Sequence, residues 1–199
     1  MRRWQITAVI ILALLLAPAF FPAASRAAGL PDAAQNKRSY ERFTQKNGVY
    51  PDWQSEKYFY VNDLHLLMTG EEISEALGEA GRSIDEGFNV YGDDIVIRLR
   101  DGAAVNISVT GGLGSWKLHR DQVTYAAVGD SKKQVLDNLG KPFARYVRDD
   151  KAWEILLYAA RTSDVGLFMI NDQVAGFMLT EPGLLGFSLQ YKGFKIADI

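Results

Sequence analysis

Two stretches of this chain follow one pattern, and that repetition constrains the fold more than any single residue does. Thr69-Gly-Glu-Glu72-Ile-Ser-Glu-Ala-Leu77-Gly78 aligns with Ser131-Lys-Lys-Gln134-Val-Leu-Asp-Asn-Leu139-Gly140. Further along, residues 95–110 (IVIRLRDGAAVNISVT) align with residues 165–180 (VGLFMINDQVAGFMLT). A helix-then-hairpin unit written twice points to a tandem architecture and a binding module rather than to an active site.

Each copy opens on a capping box. Thr69 and Ser131 are the N-caps, and Glu72 and Gln134, three residues on, reach back to the cap backbone. Ile73, Ala76 and Leu77 share one helical face, as do Val135, Leu136 and Leu139. Gly78 and Gly140 end the helices, and Pro142 forbids continuation of the second. In the first hairpin Ile95, Ile97 and Leu99 face inward, Asp101-Gly102 turns, and Ile107 and Val109 return on the same side. In the second, Val165, Leu167 and Met169 take those places, Asn171-Asp172 the turn, and Phe177 and Leu179 the return.

Between helix and hairpin the second copy is about eight residues longer, and residues 144–147 and 153–158 read as two further strands. A last strand is expected over residues 186–196. The outward faces differ. Val96, Arg98, Arg100, Asn106, Ser108 and Thr110 suit solvent, whereas Gly166, Phe168, Ile170, Gly176 and Met178 form an apolar face that needs a cover.

The expected fold class is therefore α+β: two tandem copies of a short capped helix packed on an antiparallel three- to four-stranded sheet, preceded by an N-terminal helical arm. The divisions read as 1–27 leader, 28–57 arm, 58–112 first copy and 113–199 second copy. Within the arm, residues 30–48 suggest a short helix, and Trp53 with Tyr58-Phe59-Tyr60-Val61 suggests a segment packed on the core.

Met1-Arg2-Arg3, the apolar run over residues 6–16, Pro18 and the small residues around Ser25-Arg26-Ala27 have the form of an export signal. The rival reading is an uncleaved anchor over residues 4–21. With no Cys in the chain, lipid attachment through Cys is excluded and stability rests on the core alone. A Cys-free exported chain fits a bacterial cell envelope. The first 27 residues hold three Arg and no acid, so the remainder has 19 basic against 24 acidic residues, a net charge of −5. That argues against a nucleic-acid surface. Acid concentrates in residues 71–94, which hold eight acids against Arg82 alone and read as solvated turns.

Catalytic motifs are missing. The two His, His65 and His119, lie far apart in the sequence, and no HExxH, GxSxG, SxxK or P-loop pattern occurs. Asp93-Asp94 and Asp149-Asp150 lack the ligand spacing of a calcium loop. No cofactor or metal is expected.

Gly129-Asp-Ser131-Lys-Lys-Gln134-Val135 with Leu139-Gly140-Lys-Pro142, then Trp153 and Tyr158, then Val165-Gly166 and Asn171-Asp-Gln-Val174 resemble the modules of the SmpA/BamE and beta-lactamase-inhibitor-protein group. The pattern is most similar to the extracytoplasmic module that precedes CAP domains in Gram-positive bacteria. It covers residues 122–180 well and 60–110 weakly. The first copy lacks the Pro after Leu77-Gly78 and any matching Trp. The resemblance implies small α+β modules whose sheet faces bind other envelope proteins, with Gly140 and Trp153 structural. No CAP domain follows here.

The expected function is that of an exported, non-catalytic protein-binding module of the bacterial cell envelope. Its partner is another envelope or secreted protein, with Trp116, Tyr125, Phe168 and Met178 as aromatic and apolar anchors. Thr69, Glu72, Gly78, Ser131, Gln134, Gly140 and Trp153 are expected to hold the fold. The alternative is a small-ligand or wall-polymer sensor, or a carboxylate hydrolase, with Glu86, Asp93 and Glu154 lining a cleft between the copies. A third reading is a scaffold held to the membrane by an uncleaved segment over residues 6–21.

Overall fold

The computed structural model describes residues 51–85, 87–112, 114–147, 153–191 and 194–197. The leader, the helix expected over residues 30–48, Glu86 and the Asp149-Asp150 pair lie outside the described residues.

The strands are β1 (Tyr60–Val61), β2 (Arg82–Asp85), β3 (Phe88–Tyr91), β4 (Ile95–Arg100), β5 (Ala103–Thr110), β6 (Lys117–Arg120), β7 (Val123–Ala127), β8 (Ala144–Val147), β9 (Trp153–Ala159), β10 (Asp164–Ile170), β11 (Gln173–Thr180) and β12 (Lys195–Ala197). Among the described residues three helices join them: α1 (Gly70–Leu77), α2 (Lys132–Leu139) and α3 (Leu184–Tyr191). The strands form a three-stranded sheet, β1-β6-β7, and a nine-stranded sheet, β12-β8-β9-β10-β11-β5-β4-β3-β2, antiparallel throughout.

This arrangement corrects the expected fold class. The chain is mostly β, and the two stretches do not build two helix-capped α+β units with a sheet each. Their hairpins meet edge to edge, with Met178 of β11 opposite Ser108 of β5, and share one large sheet. Strands β2 and β3 fall in the acidic stretch expected as solvated turns, and β6 and β7 in a stretch for which no element is expected. They are short, four or five residues each, so alternation has little room to show in the sequence.

Local rules hold where the partners are near in sequence. The Thr69 hydroxyl accepts from the backbone N–H of Glu72, and the Thr69 N–H donates to the Glu72 carboxylate at 2.7 Å. Ser131 and Gln134 repeat this, the Ser131 N–H donating at 2.9 Å to the Gln134 side-chain oxygen. Gly78 closes α1 in the left-handed conformation, at φ 69°. Gly140 closes α2 differently, at φ 78° and ψ −166°, with its carbonyl accepting from the Tyr158 hydroxyl.

The main core lies between one face of the large sheet and a layer made of the small sheet, α1 and α2. Ile97, Ile107, Leu167, Phe177 and Tyr158 come from the large sheet, Val61, Leu118 and Tyr125 from the small one, and Ile73, Val135 and Leu139 from the helices. The entering segment is part of it: Trp53 stacks on Phe59 at 5.3 Å and on Tyr158 at 5.2 Å. Arg120 lies over the Phe59 ring and donates to the Asp52 carbonyl at 2.7 Å.

The opposite face of the large sheet corrects two expectations. The segment read as a last strand is α3, followed by the short β12. Its Leu185 and Leu189 pack on Phe168, Met178, Ile155 and Leu157, so α3 is the cover that this apolar face required. The Asp164 carboxylate anchors the helix by accepting from the Leu185 N–H at 3.1 Å. Asn106, Ser108 and Thr110, expected in solvent, are buried. Burial of Asn106 and Ser108 is tolerated because the Asn106 amide donates to the Leu179 carbonyl and the Ser108 hydroxyl to the Asn106 side chain.

Candidate functional site

The expected anchors are mostly interior. Tyr125 sits in the main core, edge-on to Phe59. Phe168 and Met178 lie under α3, with Trp153 edge-on to Phe168 at 4.9 Å and to Phe194 at 5.0 Å. Trp116 is half-buried against the main core. Tyr125, Phe168 and Met178 therefore offer no exposed side chain to a partner. The sequence shows an apolar outward face, but the helix that covers it is distant and was read as a strand.

Asp93 and Glu154, two of the carboxylates of the alternative reading, do not assemble either. Asp93 is exposed in the β3–β4 turn. Glu154 is on β9, four strand steps from β4, or about 19 Å at the usual strand spacing. It is already engaged, taking the Lys132 ammonium at 2.5 Å and the Arg145 guanidinium. Burial acts to raise the Glu154 pKa, but these two cations outweigh it and hold the carboxyl below its ordinary range. Among the described residues no group of three or more His, Asp or Glu is placed to hold a metal ion.

A different cluster forms at the edge of the small sheet. Antiparallel pairing of β1 with β6 sets Tyr60 opposite His119, their rings stacked at 5.4 Å. His65, from the loop between β1 and α1, meets the Tyr60 ring edge-on at 4.8 Å and the Tyr58 ring at 5.6 Å. The two imidazoles, 54 residues apart in the chain, thus flank one tyrosine. All four rings are half-buried, each keeping part of its surface in water.

Each imidazole is fixed through one nitrogen. His65 Nδ1 lies 2.6 Å from the Leu66 carbonyl, and His119 Nε2 lies 2.5 Å from the Asn62 carbonyl. A carbonyl only accepts, so these nitrogens carry the protons, and in the neutral rings the lone pairs fall on His65 Nε2 and His119 Nδ1.

Loop 62–68, which carries His65, is held rigidly. The Asn62 side chain donates to the Ser115 carbonyl and accepts from the Lys117 N–H, each at 2.9 Å. Backbone bonds tie Val61 to Leu64, Leu67 to Ala104 and Ala104 to Met68. Two non-glycine residues adopt positive φ here, Asn62 at 50° and Leu67 at 74°. Asn tolerates this region through its short polar side chain, whereas a bulky Leu does not. Leu67 is also 56% exposed, against the near-complete burial of Leu64 and Leu66 on either side of His65. Leu67 is thus an apolar side chain held in water, two residues from His65, in a backbone conformation that Leu rarely adopts.

The surroundings are acidic. Glu71, Glu72 and Glu75 line the exposed side of α1. The main cause of the lowered Glu72 pKa is its bonding to Thr69 in the capping box. Sequence reading missed this cluster because its rings converge only through the β1–β6 pairing. The available signal was the spacing of Tyr58, Tyr60 and His65 around Asn62-Asp63.

The chain matches no protein-family model, no curated protein and no solved structure.

Proposed function

We propose that this chain is an exported, non-catalytic protein-binding component of the bacterial cell envelope, and that it docks its partner through Leu67 and the Tyr58–Tyr60–His65–His119 cluster. The observation that carries the reading is Leu67, exposed and held at positive φ on a rigid loop. Such a conformation costs on the order of 1–2 kcal/mol for a bulky residue and persists where surrounding structure over-determines it, often at binding sites. Half-exposed tyrosines beside an apolar anchor supply contact area at low entropic cost.

Export is supported by the basic start, the apolar run and the small residues that follow. The loose resemblance of residues 122–180 to envelope-binding modules points the same way. Among the described residues no helix is long and apolar enough to cross a membrane. Of the carboxylates named for a hydrolase, Asp93 and Glu154 lie far apart.

Photo-crosslinking tests the proposal. A photoreactive residue at position 67, in the native envelope, is expected to give one reproducible protein adduct. The same probe at Val123, exposed on the far strand of the small sheet, is expected to give none. Adducts that are absent at position 67, or the same from both positions, overturn it.

A further inference from the structure

The second half of the chain shows what the fold itself asks of position 67. Aligning Thr69 with Ser131 sets Leu67 against Gly129 and Ala104 against Val174. The backbone bonds match. The Leu67 N–H donates to the Ala104 carbonyl as the Gly129 N–H donates to that of Val174, each at 2.8 Å, and the Ala104 and Val174 N–H groups donate back to Met68 and Asp130. Thr69 and Ser131 then bridge to Ala103 and Gln173. Both positions are left-handed, Leu67 at φ 74° and Gly129 at φ 97°. The docking of this loop on its hairpin therefore sets a positive φ, for which glycine is the unstrained residue. Gly129 meets that demand freely. Leu67 meets it with strain and leaves its side chain 56% exposed. The fold accounts for the backbone conformation and not for the leucine.

The helices that follow diverge in the same way. Cap and buried positions agree, Thr69 with Ser131 and Ile73 with Val135. The charges do not. Residues 70–79 hold four Glu and no base, whereas the equivalent residues 132–141 hold three Lys and one Asp. The sign of the charge reverses where the fold is indifferent to it, and the acidic version is the one that follows Leu67. Asp63 on the loop and Glu71, Glu72 and Glu75 on α1 are all exposed. No Lys or Arg occurs between Lys57 and Arg82. Lys57 is paired with Asp121. Lys117, exposed and bonded through its backbone to Asn62, is a single base against these four carboxylates.

We infer that the partner meets Leu67 with an apolar socket rimmed by Lys or Arg. This rests on the protein-binding reading and names the partner's chemistry. The leucine supplies affinity by leaving water for the socket. The carboxylates around it stay at the wet rim, where they steer the approach of a basic face and reject an acidic one. Rim charges are screened beyond about 8 Å at physiological ionic strength. Association through this face is therefore salt-sensitive, and the equivalent face around Gly129, with neither the anchor nor the acid, does not take part.

The test uses the intact chain with a photoreactive residue at position 67, in the native envelope, with adduct yields compared at equal folded protein. Mass spectrometry of the adduct should place the crosslink in an apolar patch of the partner with Lys or Arg around it. Glu71→Lys combined with Glu75→Lys should cut the yield at least tenfold, and Glu71→Gln combined with Glu75→Gln severalfold. Glu72 is left in place because it caps α1. Lys133→Glu, at the position equivalent to Glu71, should leave the yield unchanged. Raising the salt concentration about tenfold should lower it severalfold. A yield that survives the paired Lys substitutions, or a crosslink that maps to an acidic surface, overturns the inference and leaves the proposed function standing. No adduct from position 67 in the otherwise unaltered chain removes the proposed function, and this inference with it.

Discussion

At the scale of single residues, the buried Asp164 carboxyl is held well above its ordinary range. Asp164 lies at the start of β10, and burial pushes its pKa up to about 6 against the lowering effect of the Gly183 and Leu185 N–H groups. The folded state thus binds this proton more tightly than the unfolded chain does. The stabilisation is fully present below the unfolded value near 3.8 and is lost as pH rises through about 6. Raising the value from 3.8 to about 6 corresponds to roughly 3 kcal/mol. Urea denaturation between pH 4 and 8 should show stability falling over this window, and Asp164→Asn should flatten the fall. An unchanged slope in the variant would assign the effect elsewhere.

The capping residues give a second residue-scale expectation. Thr69→Ala and Ser131→Ala should each cost about 1 kcal/mol. Thr69→Ala is expected to cost more, because it also removes a hydroxyl donor to a charged Glu72. Chemical denaturation of the two variants checks the order. These boxes were legible in the sequence because every partner lies within three residues. Tyr125, Phe168 and Met178 were misread as anchors for the converse reason: their burial depends on elements tens of residues away.

At the scale of elements, α3 decides what one face of the large sheet becomes. The sequence showed an apolar outward face on β10 and β11 and the need for a cover. It did not show that residues 184–191 are that cover, since Leu184-Leu185-Gly186-Phe187 reads as readily as a buried strand. Leu189→Ala should leave a cavity against Phe168 and Met178 and cost about 2–4 kcal/mol, read as a lowered melting temperature. Substituting Gly186 sharpens the point. Ala normally stabilises a helix over Gly by about 1 kcal/mol, but here its Cβ would lie 2.8 Å from the Tyr146 hydroxyl. Gly186→Ala is therefore expected to lower the melting temperature. A rise would mean that α3 does not sit against β8.

At the scale of the whole molecule, the repeated pattern does not produce two separate units. β5 and β11 pair across the boundary expected near residue 112, and one large sheet results. The pairing depends on close approach. A Cβ on Gly176 would lie 2.3 Å from the Val109 carbonyl oxygen, so Gly176→Ala must push β11 away from β5. The expected loss is several kcal/mol, within the range of large core disruptions. The sequence carried the hairpins and their register but not their union, because nothing local to either hairpin specifies which edge it pairs with. The His–Tyr cluster was hidden in the same way, by pairing between β1 and β6.

That Leu67 is held strained and exposed in order to bind is the core of the proposed function. It is tested most directly by Leu67→Gly, measured for melting temperature and for partner recovery from the native envelope at equal folded protein. Glycine adopts positive φ freely, so relief of strain should offset the added freedom of the unfolded chain. The melting temperature should hold or rise, while partner recovery falls at least tenfold. A clear drop in melting temperature with partner recovery intact would show that Leu67 serves the fold, and would contradict the proposal.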